Sequence, residues 1–149
     1  MRFEHLSADP ENTVFDVERF VAVKNGYNSK PLWGTCLWAG PIGEPGPTWR
    51  NFAASAFERW RMMASFEFEL DSRTRMLELL GKKACAQLPF YLEANRHGDE
   101  KYKVVDWEGV AKEHDAAYVA GKALAAEDMW GWDVPTLLVL NPEVVQQVF

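Results

Sequence analysis

Between Trp49 and Leu70 the spacing of apolar residues changes from helical to strand-like, and this restricts the chain to folds that pack helices on a sheet. Trp49, Phe52, Ala53, Ala56, Phe57, Trp60 and Met63 recur at three- and four-residue steps behind the N-cap candidate Thr48, which predicts an amphipathic helix with one face on a sheet. Phe66, Phe68 and Leu70 then alternate with Glu67 and Glu69. That alternation predicts a half-buried strand whose carboxylates face water.

The rest of the chain supplies further short elements. Residues 1–12 are polar, carry Asp9-Pro10, and read as a lead-in with one short pairing segment. Phe20 to Val23 reads as a strand ended by the turn Lys24-Asn25-Gly26-Tyr27, and Leu32 to Trp38 as a second strand before the Pro- and Gly-rich loop 40–47. Met76 to Leu80 reads as a strand. Lys82 to Ala94 reads as helical with a break at Pro89, and 96–101 as a solvated loop. Asp106 is placed to cap a short helix through Val110, Ala111 and His114, followed by a strand at 116–119. Residues 121–132 mix Ala-rich helix formers with turn residues, and an unbroken apolar strand, Leu137 to Leu140, ends in Asn141-Pro142. Most strands stand too close together for helical crossovers, so the class expected is α+β with a mixed or largely antiparallel sheet.

At 149 residues and 48% hydrophobic, the chain has the size and apolar content of a single domain, 1–149. It contains neither of the usual glycine-rich phosphate loops. Cys36 and Cys85 lie in apolar contexts without metal-ligand spacing and read as buried free thiols. His5, His97 and His114 show no metal or triad spacing. Sixteen basic against twenty-two acidic side chains leave a net charge of −6, which opposes nucleic-acid or anionic-membrane binding and favours a basic protein partner. No apolar run has the length of a membrane span, and the start lacks a secretory apolar core, so the expected location is cytoplasmic.

Taken in order, Lys30-Pro31-Leu32-Trp33-Gly34-Thr35, the helix opening at Trp49, the strand Phe66 to Leu70, the segment Asp106 to Val119 and the closing Trp132-Asp133 to Asn141-Pro142 resemble ADP-ribosyltransferase-fold proteins. The likeness covers roughly residues 20–149 and is to small phage and bacterial members. It implies a split sheet with NAD in the cleft between its halves. An early position that holds ribose or phosphate falls at Lys24 or Asn25. A second, for the nicotinamide ribose and ring, falls on Thr35 with Trp33 on the same strand face. The late strand of such enzymes opens on a Glu that stabilises the oxocarbenium-like centre. Here Thr136 holds that place; Asp133, three residues earlier, would face the other side of a regular strand, and to serve as the substitute carboxylate it needs a bulge or turn at Val134-Pro135 to redirect it.

The implied function is binding of NAD, with transfer of ADP-ribose to a macromolecular acceptor. Each candidate also has a plain structural role: tryptophans fill cores, Thr35 suits a strand, and Asp133 organises a turn. The alternative is a non-catalytic acidic interaction or inhibitor protein of mobile-element type that binds a basic partner.

Overall fold

The computed structural model describes residues 1–7, 9, 11–26, 29–32, 34–44, 46, 48–56, 64–94, 98, 101–129 and 132–149. Its strands are β1 Arg2–Ser7, β2 Leu37–Pro41, β3 Ala64–Leu70, β4 Met76–Leu79, β5 Phe90–Ala94, β6 Lys101–Val105, β7 Ala116–Val119, β8 Thr136–Val139 and β9 Val145–Val148. Its α-helices are α1 Trp49–Ala56, α2 Lys82–Ala86 and α3 Trp107–Glu113. One sheet has the order β4-β7-β8-β2-β1-β3-β9, and β5 and β6 form a separate antiparallel pair. Among the described residues of the large sheet only β4 and β7 run parallel. The class is α+β. Among the described residues no helix is long and apolar enough to cross a membrane.

The large sheet is strongly curled. Phe3 of β1 and Tyr118 of β7 are three strands apart, which in a flat sheet means about 14 Å. Their rings lie 6.2 Å apart, edge to face. The concave side therefore closes on itself around Phe3, Leu37, Phe66, Phe68, Leu137 and Val139. The other side carries Leu79, Val119 and Leu138 and is covered by Trp107 and Val110 of α3, Cys85 of α2 and Met129. β8 sits between these two cores, and all four of its residues are buried, which accounts for its unbroken apolar sequence. β3 keeps the alternation read from its sequence: Phe66 and Phe68 are buried while Glu67 and Glu69 face water, where they pair with Arg2.

Several elements depart from the sequence reading. The supposed lead-in is β1, hydrogen-bonded to β3 along its whole length and to β2 at its start. The full ladder to β3, with β2 added at Phe3 and Glu4, holds the segment extended, so it needs no strong strand propensity of its own. Residues 20–23 make no ladder and belong to an irregular strap, residues 11–24, whose Phe15 and Phe20 pack against the concave core; among the described residues the one pairing nearby is a bridge from Asn25 to Pro31. β2 begins at Leu37 because a turn closed by the Thr35 N–H on the Leu32 carbonyl, with Gly34 at φ 86°, occupies the preceding residues. Helix α2 ends at Ala86, and 90–94 is strand: Pro89 cannot continue a helix, and the apolar run Phe90-Tyr91-Leu92 pairs with β6. Residues 121–125 and 127–129 are short 3₁₀ turns. The helix from Trp49 is described as far as Ala56; Phe57, Trp60 and Met63 lie outside the described residues, as does most of the 96–101 loop.

One buried carboxylate holds the junction of β4, β7 and β8. Asp115 accepts from the Arg75 backbone N–H at 2.9 Å, from Arg75 Nε at 3.2 Å and Nη2 at 3.0 Å, and from Asn141 Nδ2 at 3.1 Å. Its backbone carbonyl accepts from Leu140 and Asn141. Asn141 also caps the 3₁₀ turn Pro142–Val144, so the Asn-Pro that ends the apolar run stops β8 and fastens its end to β7. The Arg75 hydrogen bonds, backed by Asn141 and opposed by burial, hold the Asp115 carboxyl well below the usual carboxylate range. A depressed folded value stabilises the protein above the unfolded carboxylate pKa, near 4, and that contribution is lost as pH falls toward the folded value. Asp115→Asn is expected to lower the unfolding free energy by about 2 kcal/mol at neutral pH, with the gap to wild type narrowing below about pH 4. Urea titrations across pH check this; equal stabilities at pH 7 would show that the junction does not depend on the charge.

Candidate functional site

The groove on this molecule exists because two neighbouring strands part company. β1 and β2 pair only through Phe3 with Pro41 and Glu4 with Gly40. Beyond Glu4, β1 stays with β3 and β2 stays with β8, so the sheet opens between them. At the split His5 Nδ1 lies 2.7 Å from the Trp38 carbonyl oxygen, so the imidazole takes up an acceptor that the ladder leaves behind. A carbonyl only accepts, so Nδ1 carries the proton and the neutral ring keeps Nε2 as an acceptor. The ring lies against Phe66, 5.1 Å between centroids. Burial lowers the His5 pKa below its ordinary value despite the opposing pull of the Trp38 carbonyl, which keeps the imidazole neutral at pH 7.

Two indoles at right angles form the far wall. Trp38 and Trp49 meet edge to face at 6.3 Å and 81°. Trp49 is seated by α1, whose first turn is capped by the Thr48 hydroxyl accepting from the Asn51 N–H, and it lies on Gly40. A Cβ at Gly40 would stand 3.0 Å from Trp49 Cδ1, so the close approach depends on the missing side chain. Trp49 Nε1 donates to Thr136 Oγ1 at 2.9 Å, and that hydroxyl donates to the Val134 carbonyl at 2.8 Å. On its other side Trp38 stacks on Trp132 at 5.4 Å. Arg50 of α1 pairs with Glu4 at 2.7 Å on the rim.

The compartment so formed measures about 300 Å³ and is lined by His5, Ser7, Asp9, Cys36, Trp38 and Trp49, among others. A second compartment of about 300 Å³ shares His5, Ser7, Asp9, Gly34 and Cys36 with it and is lined on the strap side by Phe15, Asp16, Arg19 and Phe20. The strap is tied to β9 by Gln147, which accepts from the Phe15 N–H at 2.9 Å and donates to the Thr13 carbonyl at 3.4 Å. Burial pushes the Cys36 thiol up to about 12, so it stays protonated and is not a nucleophile at neutral pH. Among the described residues no group of three His, Cys, Asp or Glu side chains is placed to hold a metal ion.

The residues expected from sequence are distributed differently. Thr35 is buried, with its hydroxyl accepting from the Lys24 N–H at 3.0 Å and donating to the Leu32 carbonyl at 2.6 Å. It organises the turn into β2, while its neighbours Gly34 and Cys36 reach the groove. Lys24 has an exposed side chain. Asn25 fastens the strap to α3, donating to Asp106 at 2.9 Å and accepting from the Glu108 N–H at 3.1 Å. Thr136 is wholly buried beneath Trp49, and Asp133 is exposed and absent from both groove linings. Trp33 lies outside the described residues. The early and late segments do meet, but as directly paired neighbours in β2 and β8, with no cleft between them. Their register puts Thr136 level with Gly40, whereas Thr35 precedes Leu37 at the other end of a ladder about 10 Å long.

His5, Trp38 and Trp49 are the groove residues that the sequence reading passed over. The signal for His5 was its place two residues after Phe3, on the same face of a short alternating segment. Trp38 and Trp49 read as core; Trp38 packs against the core, and both line the groove. No protein-family model matches the chain, and neither curated proteins nor solved structures yield a match.

Thr136→Val preserves shape but leaves the Trp49 indole N–H without its acceptor. The variant is expected to lose about 1–2 kcal/mol of stability and to loosen the aromatic corner. Chemical denaturation together with near-ultraviolet circular dichroism checks both; a wild-type aromatic spectrum would show that packing on Gly40 alone seats Trp49.

Proposed function

We propose that this is a nucleotide-binding protein of ADP-ribosyltransferase-like architecture that takes NAD or a related nucleotide in the groove between β1 and β2. The observation that carries the reading is that the right-angled pair Trp38 and Trp49 lines one compartment together with a neutral His5 at the split of the sheet. An indole face stacks on a flat, cationic nicotinamide ring, and the His5 Nε2 acceptor suits a carboxamide N–H or a ribose hydroxyl. Glu4 and Asp9 on the rim favour the positive ring over a neutral one.

Binding is the step that the groove supports best. Transfer of ADP-ribose to a protein acceptor is a further step, and it needs a carboxylate next to the carbon that loses nicotinamide. Glu4 and Asp9 are the carboxylates in the lining, whereas Asp133 is exposed and outside it. In this reading either acid would have to leave its present partner, Glu4 from Arg50 and Asp9 from the Glu11 N–H.

Calorimetry with NAD tests the proposal. Saturable binding is expected, weakened about tenfold or more in Trp38→Leu, since stacking a base on an aromatic ring is worth about 1–3 kcal/mol. The absence of any binding heat at millimolar NAD would remove the nucleotide reading. Release of nicotinamide in the same samples reports on transfer.

A second reading rests on charge. The strap carries Glu11, Asp16 and Glu18 beside half-exposed Val14 and Val17, a surface suited to a basic protein partner. A partner recovered by pull-down that dissociates with added salt and binds Trp38→Leu as well as wild type would support it. A partner indifferent to salt would not.

A further inference from the structure

We propose that β9 is a self-pairing edge: two copies of this chain join antiparallel through it, about a two-fold axis at Gln147. This pairing is independent of what the groove binds. β9 ends the large sheet and pairs with β3 on one side. Among the described residues no backbone group beyond β3 bonds to residues 146–149, so the outer edge presents N–H and C=O groups that a further strand satisfies. The strand carries no charge and no proline, two of the usual guards of an edge, whereas β4 at the other end of the sheet has the exposed Glu78.

The ladder fixes which residues face outward. The Asp71 N–H donates to the Val144 carbonyl at 2.9 Å, in step with the pairs Glu69 with Gln146 and Glu67 with Val148. Bonded pairs alternate in an antiparallel ladder, so residues 146 and 148 turn their backbone groups to β3, while 145, 147 and 149 turn theirs outward. A two-fold axis keeps each residue opposite one on the same face, so the register is centred on a residue. Centred on Gln147, it sets Gln147 against its own copy, which makes both bonds of that pair, and sets Val145 against Phe149. The Val145 N–H is held by the Pro142 carbonyl, but the Val145 carbonyl is open to the Phe149 N–H of the second copy. Centred on Gln146, the pairing leaves Phe149 opposite Glu143 in a 3₁₀ turn and requires the Val145 N–H to leave Pro142.

The side chains agree with that register. Val145 and Phe149 share the concave face, where Val145 packs against the core, and Phe149 is fully exposed. Pairing carries each Phe149 onto Val145 of the other copy and covers an apolar ring at both ends of the contact. At the axis the Gln147 amide is already bound to Thr13 and Phe15 of the strap, and the half-exposed Val14 between them adds apolar surface. Charge offers little opposition. Glu67 and Glu69 lie on the other face, paired with Arg2, and those of the two copies are three strand spacings apart, about 14 Å, beyond a screening length of about 8–10 Å. So short a contact is at the small end of protein interfaces, and the dimer is weak and concentration-dependent.

Sedimentation velocity from about 1 μM to about 1 mM tests the pairing, with the fold of each variant checked by circular dichroism. Wild type is expected to pass from monomer to dimer within that range, and added salt is expected not to weaken the dimer, since no ion pair crosses it. Phe149→Ser alters a fully exposed residue and is expected to weaken the dimer about tenfold. Gln146 of one copy lies opposite Val148 of the other. Gln146→Lys with Val148→Lys therefore opposes like charges and is expected to stay monomeric, whereas Gln146→Lys with Val148→Glu sets ion pairs there and is expected to dimerise. Wild type that stays monomeric up to about 1 mM overturns the self-pairing and leaves the edge to a strand of another protein. A dimer as strong in Phe149→Ser and the doubly basic variant as in wild type also overturns it, because the copies would then meet elsewhere. Equal loss in the two charged variants overturns the axis at Gln147.

Discussion

A backbone carbonyl released from its ladder has to find another donor, and in this protein that requirement shapes the groove. β1 follows β3 along its whole length but stays with β2 only at Phe3 and Glu4, while β2 goes on with β8. The sheet is kept whole by two residue pairs and opens beyond them. At the opening the His5 imidazole replaces the missing strand partner of Trp38, so a side chain suited to ligand contact is fixed there by a structural need. The same bond selects the tautomer, and partial burial holds the ring neutral. Groove, tautomer and charge state thus follow from one divergence of strands.

The opposite wall is made by subtraction. Gly40 has no side chain, so Trp49 can lie on the strand, and Thr136 supplies an acceptor at the same level of the neighbouring strand. A residue with a Cβ at 40 would lift the indole, and a residue without a hydroxyl at 136 would leave its N–H unpaired. In this setting Thr136 acts on the groove through Trp49, not through any ligand. The position that a late-strand carboxylate would hold is occupied by a residue whose hydroxyl is already spent.

Features with local causes were legible in the sequence. The alternation of β3, the Asp106 cap on α3 through the Gly109 N–H, and the end of β8 at Asn141-Pro142 each depend on a few adjacent residues, and each appears in the structure. β1 was not legible, because its stability comes from partners 36 to 67 residues away, and Glu4 and Ser7 blur its pattern. Residues 90–94 were misread for a related reason: the helix signal before Pro89 was extended beyond a residue that ends helices. At the site, sequence drew attention to the hydroxyls of Thr35 and Thr136 but could not show that a turn and an indole consume them. His5 was hidden because its significance lies in the parting of β1 from β2, a property of the sheet that no local window contains.

The two walls of the groove are held with very different firmness, and this bears on how a ligand would enter. Behind Trp38 the indoles continue through Trp132 to Trp107, 5.8 Å further on, and Trp107 is fully buried with its N–H donated to the Ser29 carbonyl at 2.9 Å. Ser29 is a non-glycine residue at φ 55°, a conformation with a steric cost that the surrounding contacts must offset. The aromatic wall is thereby anchored across the molecule to α3, and stacking against it requires little reordering. The strap opposite has almost no ladder of its own; its N-terminal part is tied to the sheet by the amide of Gln147 and by Phe15 against Phe66 at 6.0 Å, its C-terminal end by Asn25 on α3. Between those two ties the strap rests on side-chain packing, Phe20 against the concave core and Val23 within the other, so it is held by few backbone bonds where the opposite wall is held by a continuous run of indoles.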